Sequence, residues 1–247
     1  MNRVDFLGFQ LDNLSMSETI SKIGKIIEQR KPVQHVVLNA AKIVQAVGSP
    51  SLRETINSCG LINADGQAVV WAARLLGIPL KERVAGVDLM YEIMKYAPQK
   101  GWRIFFLGAK EEVVQAVVHR AKKEFPGINI AGFRNGYFTD DEEAVLVEQI
   151  ASSKPDILFV GISSPKKEIF LNKYLDKLNV PFCMGVGGSF DVFAGIVKRA
   201  PKILQKMGME WFYRVIQEPR RMWKRYAKTN PIFIYLVLRA VLRKKGI

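Results

Sequence analysis

Cysteine is scarce in this chain of 247 residues: there are two, Cys59 and Cys183, far apart and in no paired spacing. A disulfide framework and a zinc site of the usual ligand spacing are thereby disfavoured, and a reducing compartment fits. Long apolar runs are missing too. No stretch of about 18 apolar residues occurs, so nothing is expected to span a bilayer. The opening MNRVDFLGFQLDN is too polar for a signal peptide. Neither G-x-G-x-x-G nor G-x-x-x-x-G-K-[ST] occurs, which argues against a dinucleotide enzyme and a P-loop. Asp-x-Asp, a common way to hold a divalent ion on a diphosphate, is absent; Asp140-Asp141 are adjacent and read as a helix start. The two histidines, His35 and His119, have no Ser or Cys partner at a telling spacing and read as structural.

What the chain does have is material for a core and an uneven charge. It is 49% hydrophobic and 24% charged, which suits one large α/β domain, or a domain with an appendage. The net charge is +14, and +12 of it lies in Lys198–Ile247, where 14 Lys and Arg accompany only Glu210 and Glu218. The first 197 residues carry +2. A near-neutral body with a strongly basic tail points to an anionic partner surface, membrane or nucleic acid.

Short apolar runs alternate with amphipathic stretches. Val33–Leu38, a run opening at Leu61, Arg103–Leu107, Ile128–Ala131, Ile157–Val160 and Phe182–Val186 read as strands, and Val4–Gln10 as a short strand or hairpin arm. Helices are expected from Ser15 or Ser17 to about Arg30, over Ala40–Val47 and near Leu52–Ser58. Others are expected over Leu89–Tyr96 with a stop at Pro98, over Glu111–Phe125, from an Asp140 cap to Ser152, and from Pro165 to Leu178. The pattern predicts an α/β fold: a Rossmann-like, mainly parallel sheet with helices on both faces. Composition shifts only near Ala200-Pro201, so residues 1–197 are read as the body and 198–247 as a basic helical appendage.

One stretch organises the rest. In Leu61–Asp88, LINADGQAVVWAARLLGIPLKERVAGVD, a strand delivers Asp65 at its carboxyl end beside Gly66. A helix follows with Val69, Val70, Ala72, Ala73 and Leu76 turned toward the sheet. Open α/β sheets bind ligands at that edge, so Asp65 is a candidate catalytic group. Helix capping is its plain alternative, since Asp is a favoured N-cap. Gly108, Gly161 and Gly187-Gly188 end other strands, where backbone amides can approach phosphates. Without paired carboxylates for a metal, charge on a departing diphosphate would fall to cations; Arg83, Lys167 and the tail arginines supply them. A solvated surface charge is the alternative for each.

The tail itself reads as helix over Ile203–Tyr226, interrupted at Pro219, followed by a separate segment, IFIYLVLRAVLRKK, opened by Asn230-Pro231. Twelve mostly apolar residues flanked by bases are too short to span and suit a helix lying in a membrane interface. Docking on the body, an oligomer interface, or salt-sensitive nucleic-acid binding are the rival readings.

Taken together, several motifs resemble the WecG/TagA/CpsF glycosyltransferases over almost the whole chain. They are Asn39, Ala64-Asp65-Gly66, Glu82–Gly86 with Asp88, Phe106-Leu107-Gly108, Ser164-Pro165 with Glu168, and Gly185–Gly188 with Phe190-Asp191. Arg199-Ala200-Pro201, Glu210-Trp211 and Glu218-Pro219-Arg220 complete the set. The resemblance implies an inverting, metal-independent and cofactor-free transfer from a UDP-sugar to an undecaprenyl-diphosphate-linked N-acetylglucosamine. N-acetylmannosamine is the sugar moved by the best-known members; a related UDP-hexose or UDP-uronate donor is the alternative. It further implies a peripheral protein on the cytoplasmic membrane face, with no nucleic-acid partner and room for a homo-oligomer. Asp65 then matches the general base, Asn39 orients hydroxyls, and Arg83 neutralises departing UDP with Lys167, Arg214 or Arg221. Tyr137 and Phe138 offer rings to uracil, Gly187, Gly188 and Asp191 line the nucleotide pocket, and Asp88, Gly108 and Gly161 complete the edge. Two positions depart from the family pattern: Val37 where Thr is frequent, and Lys167 where Gln is usual. Both bear on which sugar is moved.

Overall fold

The computed structural model describes residues 3–244, and for Lys206 and Arg221 the backbone alone. β1 (Arg3–Phe6) and β2 (Phe9–Asp12) form a separate antiparallel hairpin. The buried Asp12 carboxylate pins it to the body, accepting from the Ile62 amide at 2.9 Å and pairing with Lys22 at 2.7 Å. The main strands are β3 (Val33–Leu38), β4 (Leu61–Ala64), β5 (Arg103–Gly108), β6 (Asn129–Arg134), β7 (Ile157–Gly161) and β8 (Phe182–Gly185). They make one six-stranded sheet in the order β4-β3-β8-β7-β5-β6, and every pairing is parallel. The fold is α/β and Rossmann-like.

Period-two alternation assigns the strands' side chains to two faces. Ile104, Phe106, Phe159, Phe182 and Met184 meet α1 (Met16–Gln29), α5 (Gly86–Lys100) and α6 (Glu111–Glu124) in one apolar cluster. On the other face Phe105, Leu107, Leu158 and Val160 meet α7 (Glu143–Ser152) and α8 (Lys166–Leu178). Farther along that face Val36, Leu38, Ile62 and Ala64 meet α2 (Ala40–Val47), α3 (Pro50–Asn57) and α4 (Gln67–Leu75). With both faces covered, near-continuous apolar strands are what the sheet requires.

The chain closes with α9 (Ser189–Phe193), α10 (Lys202–Lys206), α11 (Glu210–Gln217) and the 26-residue α12 (Pro219–Lys244). Here expectation and structure part. The tail has three helices, and α12 runs unbroken through Pro231, where a new segment was expected. Phe233 and Val237 bury themselves in the α2–α4 cluster, and this packing carries the helix past the proline. Likewise α5 continues through Pro98 to a left-handed C-cap at Gly101, because the proline falls in the last turn. Asp140 does not cap α7: Thr139 and Glu142 form a capping box over a 3-10 turn that leads into it. β6 extends to Arg134, beyond the expected end at Ala131.

Cys59 and Cys183 are both buried and free. Burial pushes the Cys59 thiol up to about 12 and raises that of Cys183 as well. His35 is structural, as expected: its Nε2 lies 3.0 Å from the Asn63 Oδ1, and burial pushes its pKa down to about 4. His119 is exposed on α6.

Candidate active site

The carboxyl ends of β3, β4, β5, β7 and β8 deliver the predicted residues to one edge of the sheet. Asp65 follows β4, and its amide donates to the Leu38 carbonyl at 2.8 Å, beside Asn39 at the end of β3. A Cβ placed on Gly66 would lie 3.8 Å from that of Asn39, so the two strand ends touch. Asp65 does not cap α4. The N-cap is Gly66, at φ +93°, with no side-chain capping bond. The Asp65 carboxylate has no hydrogen bond and no ion pair among the described residues, although burial raises its pKa. Arg83 opposes that rise, Glu210 adds to it, and Arg214 and Lys42 oppose it more weakly. A carboxylate left unsatisfied in such surroundings, with its basicity raised, is suited to accept a proton. Asn39 caps α2 by accepting from the Lys42 amide at 3.0 Å; its Nδ2 donor has no partner among the described residues.

Arg83 comes to the same edge because Val84 donates to the Ala64 carbonyl at 2.9 Å. Its guanidinium lies 3.2 Å from Glu210 of α11 and 3.9 Å from Asp88. Asp88 is held chiefly by Arg199, bidentately, with Nη2 at 2.6 Å. Arg214 stands 3.9 Å from Glu210. The tail thus contributes Arg199, Glu210 and Arg214 to the surroundings of Asp65. Arg199 was expected only as one of the tail arginines, and Glu210 only as part of a motif, with no role of its own. Their signal was an acid at Glu210 within a tail carrying only two.

On the other face of the sheet edge lies a buried triad. Glu168 Oε1 is 2.7 Å from the Lys42 ammonium and 3.1 Å from that of Lys167. Burial pushes the Glu168 carboxyl up, yet the two lysines outweigh it and hold the group at about 2. Lys167 reaches the glycine rim: a Cβ on Gly187 would lie 3.7 Å from its Nζ. Lys42 was not foreseen.

The glycines at the strand ends answer first to packing. A Cβ on Gly161 would meet the Phe190 ring at 2.4 Å, and one on Gly108 would meet the Gly161 backbone at 2.5 Å. Gly108 also sits at φ +133°. Gly108→Ala is therefore expected to cost about 2 kcal/mol, from strain together with overpacking. Gly101→Ala meets nothing within 4 Å and should cost no more than about 1 kcal/mol, for its left-handed φ of 66° alone. Thermal denaturation of the pair checks this; equal losses would show that the close approach at Gly108 is relieved.

Tyr137 is 71% exposed near this rim, whereas its neighbour Phe138 turns inward onto Phe170, with Lys166 over its ring. The expected two-ring surface is thus reduced to Tyr137. Gly188 lies against the Asp191 carboxylate, 3.7 Å from a built Cβ. The Arg221 side chain lies outside the described residues. Among the described residues no three His, Cys, Asp or Glu side chains gather to hold a metal ion, and no helix is long and apolar enough to cross a membrane.

Comparison with known proteins adds a family. The family model described as Glycosyl transferase WecG/TagA/CpsF matches residues 4–246. An N-acetylglucosaminyldiphosphoundecaprenol N-acetyl-beta-D-mannosaminyltransferase of Bacillus spizizenii is 36% identical, over 97% of this chain and 90% of its own. A protein of the same description from Staphylococcus aureus strain MW2 is 36% identical, over 96% of this chain and 93% of its own.

Proposed function

The chain belongs to the glycosyl transferase WecG/TagA/CpsF family, and from that premise we propose that it moves a sugar from a UDP donor to a polyprenyl-diphosphate-linked N-acetylglucosamine. That it is a glycosyltransferase follows from the family and its named relatives. One observation carries the reaction: an unpaired carboxylate, Asp65, at the ligand-binding edge of the sheet, with cations gathered beside it.

Asp65 takes the proton of the acceptor hydroxyl, whose oxygen attacks the anomeric carbon and inverts it as UDP leaves. Arg83 and Arg214 stabilise the charge growing on the diphosphate, and no divalent ion is needed for that step. The free Nδ2 of Asn39 orients a sugar hydroxyl. Gly187, Gly188 and Asp191 hold the nucleoside, with Tyr137 as a ring for uracil. Residues 198–247 act as the membrane-associating appendage. What supports this is the exposure of Trp211, Phe212, Ile216, Trp223, Tyr235 and Leu238 in a tail rich in bases. The site then works at the cytoplasmic face, where a polyprenyl acceptor is embedded.

The test is UDP release with UDP-N-acetylmannosamine and a short-chain polyprenyl-diphosphate-N-acetylglucosamine, with and without EDTA. Release should need both substrates and survive the chelator; loss in EDTA would overturn the metal-free step. In parallel, vesicles with anionic lipid should float the full chain. Duplex DNA retained at 0.2 M salt in the absence of such flotation would favour the nucleic-acid reading instead.

A further inference from the structure

The helix that leads away from Asp65 is apolar on both of its faces. Val69, Ala72, Ala73 and Leu76 of α4 enter the α2–α4 cluster, whereas Trp71 and Leu75 point outward, 49% and 62% exposed. A helix apolar all round is normally covered all round, and large apolar groups exposed together mark a surface that meets something. Trp71 and Leu75 are spaced i, i+4 and share one stripe. The tail meets α4 at both ends and leaves that stripe open. Near Asp65, a Cβ on Gly208 would lie 2.6 Å from the Trp71 ring and 3.0 Å from the Gln67 Cβ. Just before that glycine, Ile203 of α10 and Met207, which closes the helix one turn later, are 72% and 57% exposed. At the far end the Lys244 ammonium donates to the Leu76 carbonyl at 2.6 Å, so the carboxyl end of α12, with Leu242 exposed, borders the same stripe. From Gln67 to Leu75 the stripe covers about 12 Å at the helical rise. Neither α4 nor α10 carries an acid, and Arg74 and Lys202 are exposed on them.

We propose that Trp71, Leu75, Ile203 and Met207 form a track for the prenyl chain of the acceptor, leading from the outward side of α12 to Asp65. The inference rests on the polyprenyl-acceptor reading above and adds the part of the body that holds the lipid. Position selects this occupant. The inner end of the track, Gln67, lies two residues from the proposed base. Its outer end meets the helix assigned to the membrane surface. The prenyl chain is the one long apolar piece of either substrate, and drawing it out of the bilayer toward the site would expose it to water unless protein covers it. Bases beside an apolar stripe, with no acid on either helix, also suit a lipid whose head is a diphosphate.

The experiment gives the full chain two acceptors, N-acetylglucosaminyl diphosphates bearing a farnesyl chain or a methyl group, without detergent or vesicles. The wild type should favour the farnesyl acceptor by about 10- to 100-fold in kcat/KM, the range for covering one or two large apolar groups. A double variant, Trp71→Gln with Leu75→Gln, keeps good helix formers on α4 and should bring that ratio close to 1. A ratio measured within one preparation does not depend on how much of the variant is folded. The variant should still float with anionic vesicles. Equal use of the two acceptors by the wild type overturns the inference and leaves the transfer reaction standing. Loss of flotation with the ratio unchanged would give the stripe to the bilayer surface and overturn it too. So would a wild-type dimer, seen by light scattering, that the variant dissociates without a change in the ratio, since the occupant would then be a second copy. If the wild type turns over neither acceptor, the acceptor reading falls first and this inference falls with it.

Discussion

Asp65→Asn should abolish transfer while leaving the protein at least as stable as before. A general base is typically worth 10²–10⁴-fold, and Asn cannot accept the proton, so a loss of about 10³-fold in kcat is expected. The stability half comes from the sign of the pKa shift. Burial, the largest influence on this group, raises it above its ordinary value. A carboxylate raised in the folded state contributes stability below its unfolded pKa and loses that contribution as pH rises through the folded value. At neutral pH the ionised group therefore weighs against folding, with no hydrogen bond or ion pair among the described residues to offset it. Asn has nearly the same shape and no charge to desolvate. Its melting temperature at pH 7 should equal or exceed the wild type's, and the difference should shrink below the carboxylate range. A variant that melts lower at pH 7 and keeps turnover would make Asp65 a structural residue. Gain of stability together with loss of activity marks a group kept for chemistry.

How much of this was open to reading follows from how far each feature reaches along the chain. β3 was legible to the residue because a compact, mainly apolar run closes with Val36-Val37-Leu38 at Asn39, which then caps the next helix. The same local logic exposed Asp65, which follows strand β4 directly, whereas Arg83 returns to β4 only after α4, through the Val84 amide on the Ala64 carbonyl. Glu210 is 127 residues from Arg83, and nothing in a linear reading brings them to 3.2 Å. Lys42 carries no local signal in its helix; only the approach of α8 buries it against Glu168. Phe138 was misplaced because neighbouring residues can face opposite ways, and an aromatic pair does not say which ring turns in. The prolines misled for a related reason. Local rules stop a helix at Pro231 and Pro98, but burial of Phe233 and Val237 in one case, and the last-turn position in the other, outweigh the lost hydrogen bond.

The ion pair between Arg83 and Glu210 yields the second large effect, and its two halves should move the enzyme in opposite directions. On the proposed mechanism Arg83→Met removes a cation from the departing diphosphate, so kcat should fall by about 10²–10³-fold, the range for one such group. It also removes the charge that lowers the Asp65 pKa and leaves Glu210, which raises it. The acid limb of the kcat profile, where Asp65 protonates and the rate falls, should therefore shift to higher pH. Glu210→Gln does the reverse. In the wild type Glu210 engages Arg83 at 3.2 Å, and no ion pair joins Arg83 to Asp65. With that acid neutral, the guanidinium keeps only its 3.9 Å pairing with Asp88, so less of its charge is offset, and the direct push of Glu210 on Asp65 is lost as well. Both changes lower the basicity of Asp65, so the acid limb should move to lower pH and kcat should drop by about 10-fold as the base weakens. KM for the donor should stay level or fall, because Arg83 no longer shares its charge with the tail. Glu210→Asp, which keeps the charge, should recover most of the loss. Limbs that move in the same direction in the two variants would mean that the titrating base is not Asp65. A Glu210→Gln effect on KM alone would reduce the tail's acid to a clamp on α11. Opposed shifts, read in one assay, would instead place the appendage inside the catalytic electrostatics, with one of its two acids setting how strongly the body's base pulls on a proton.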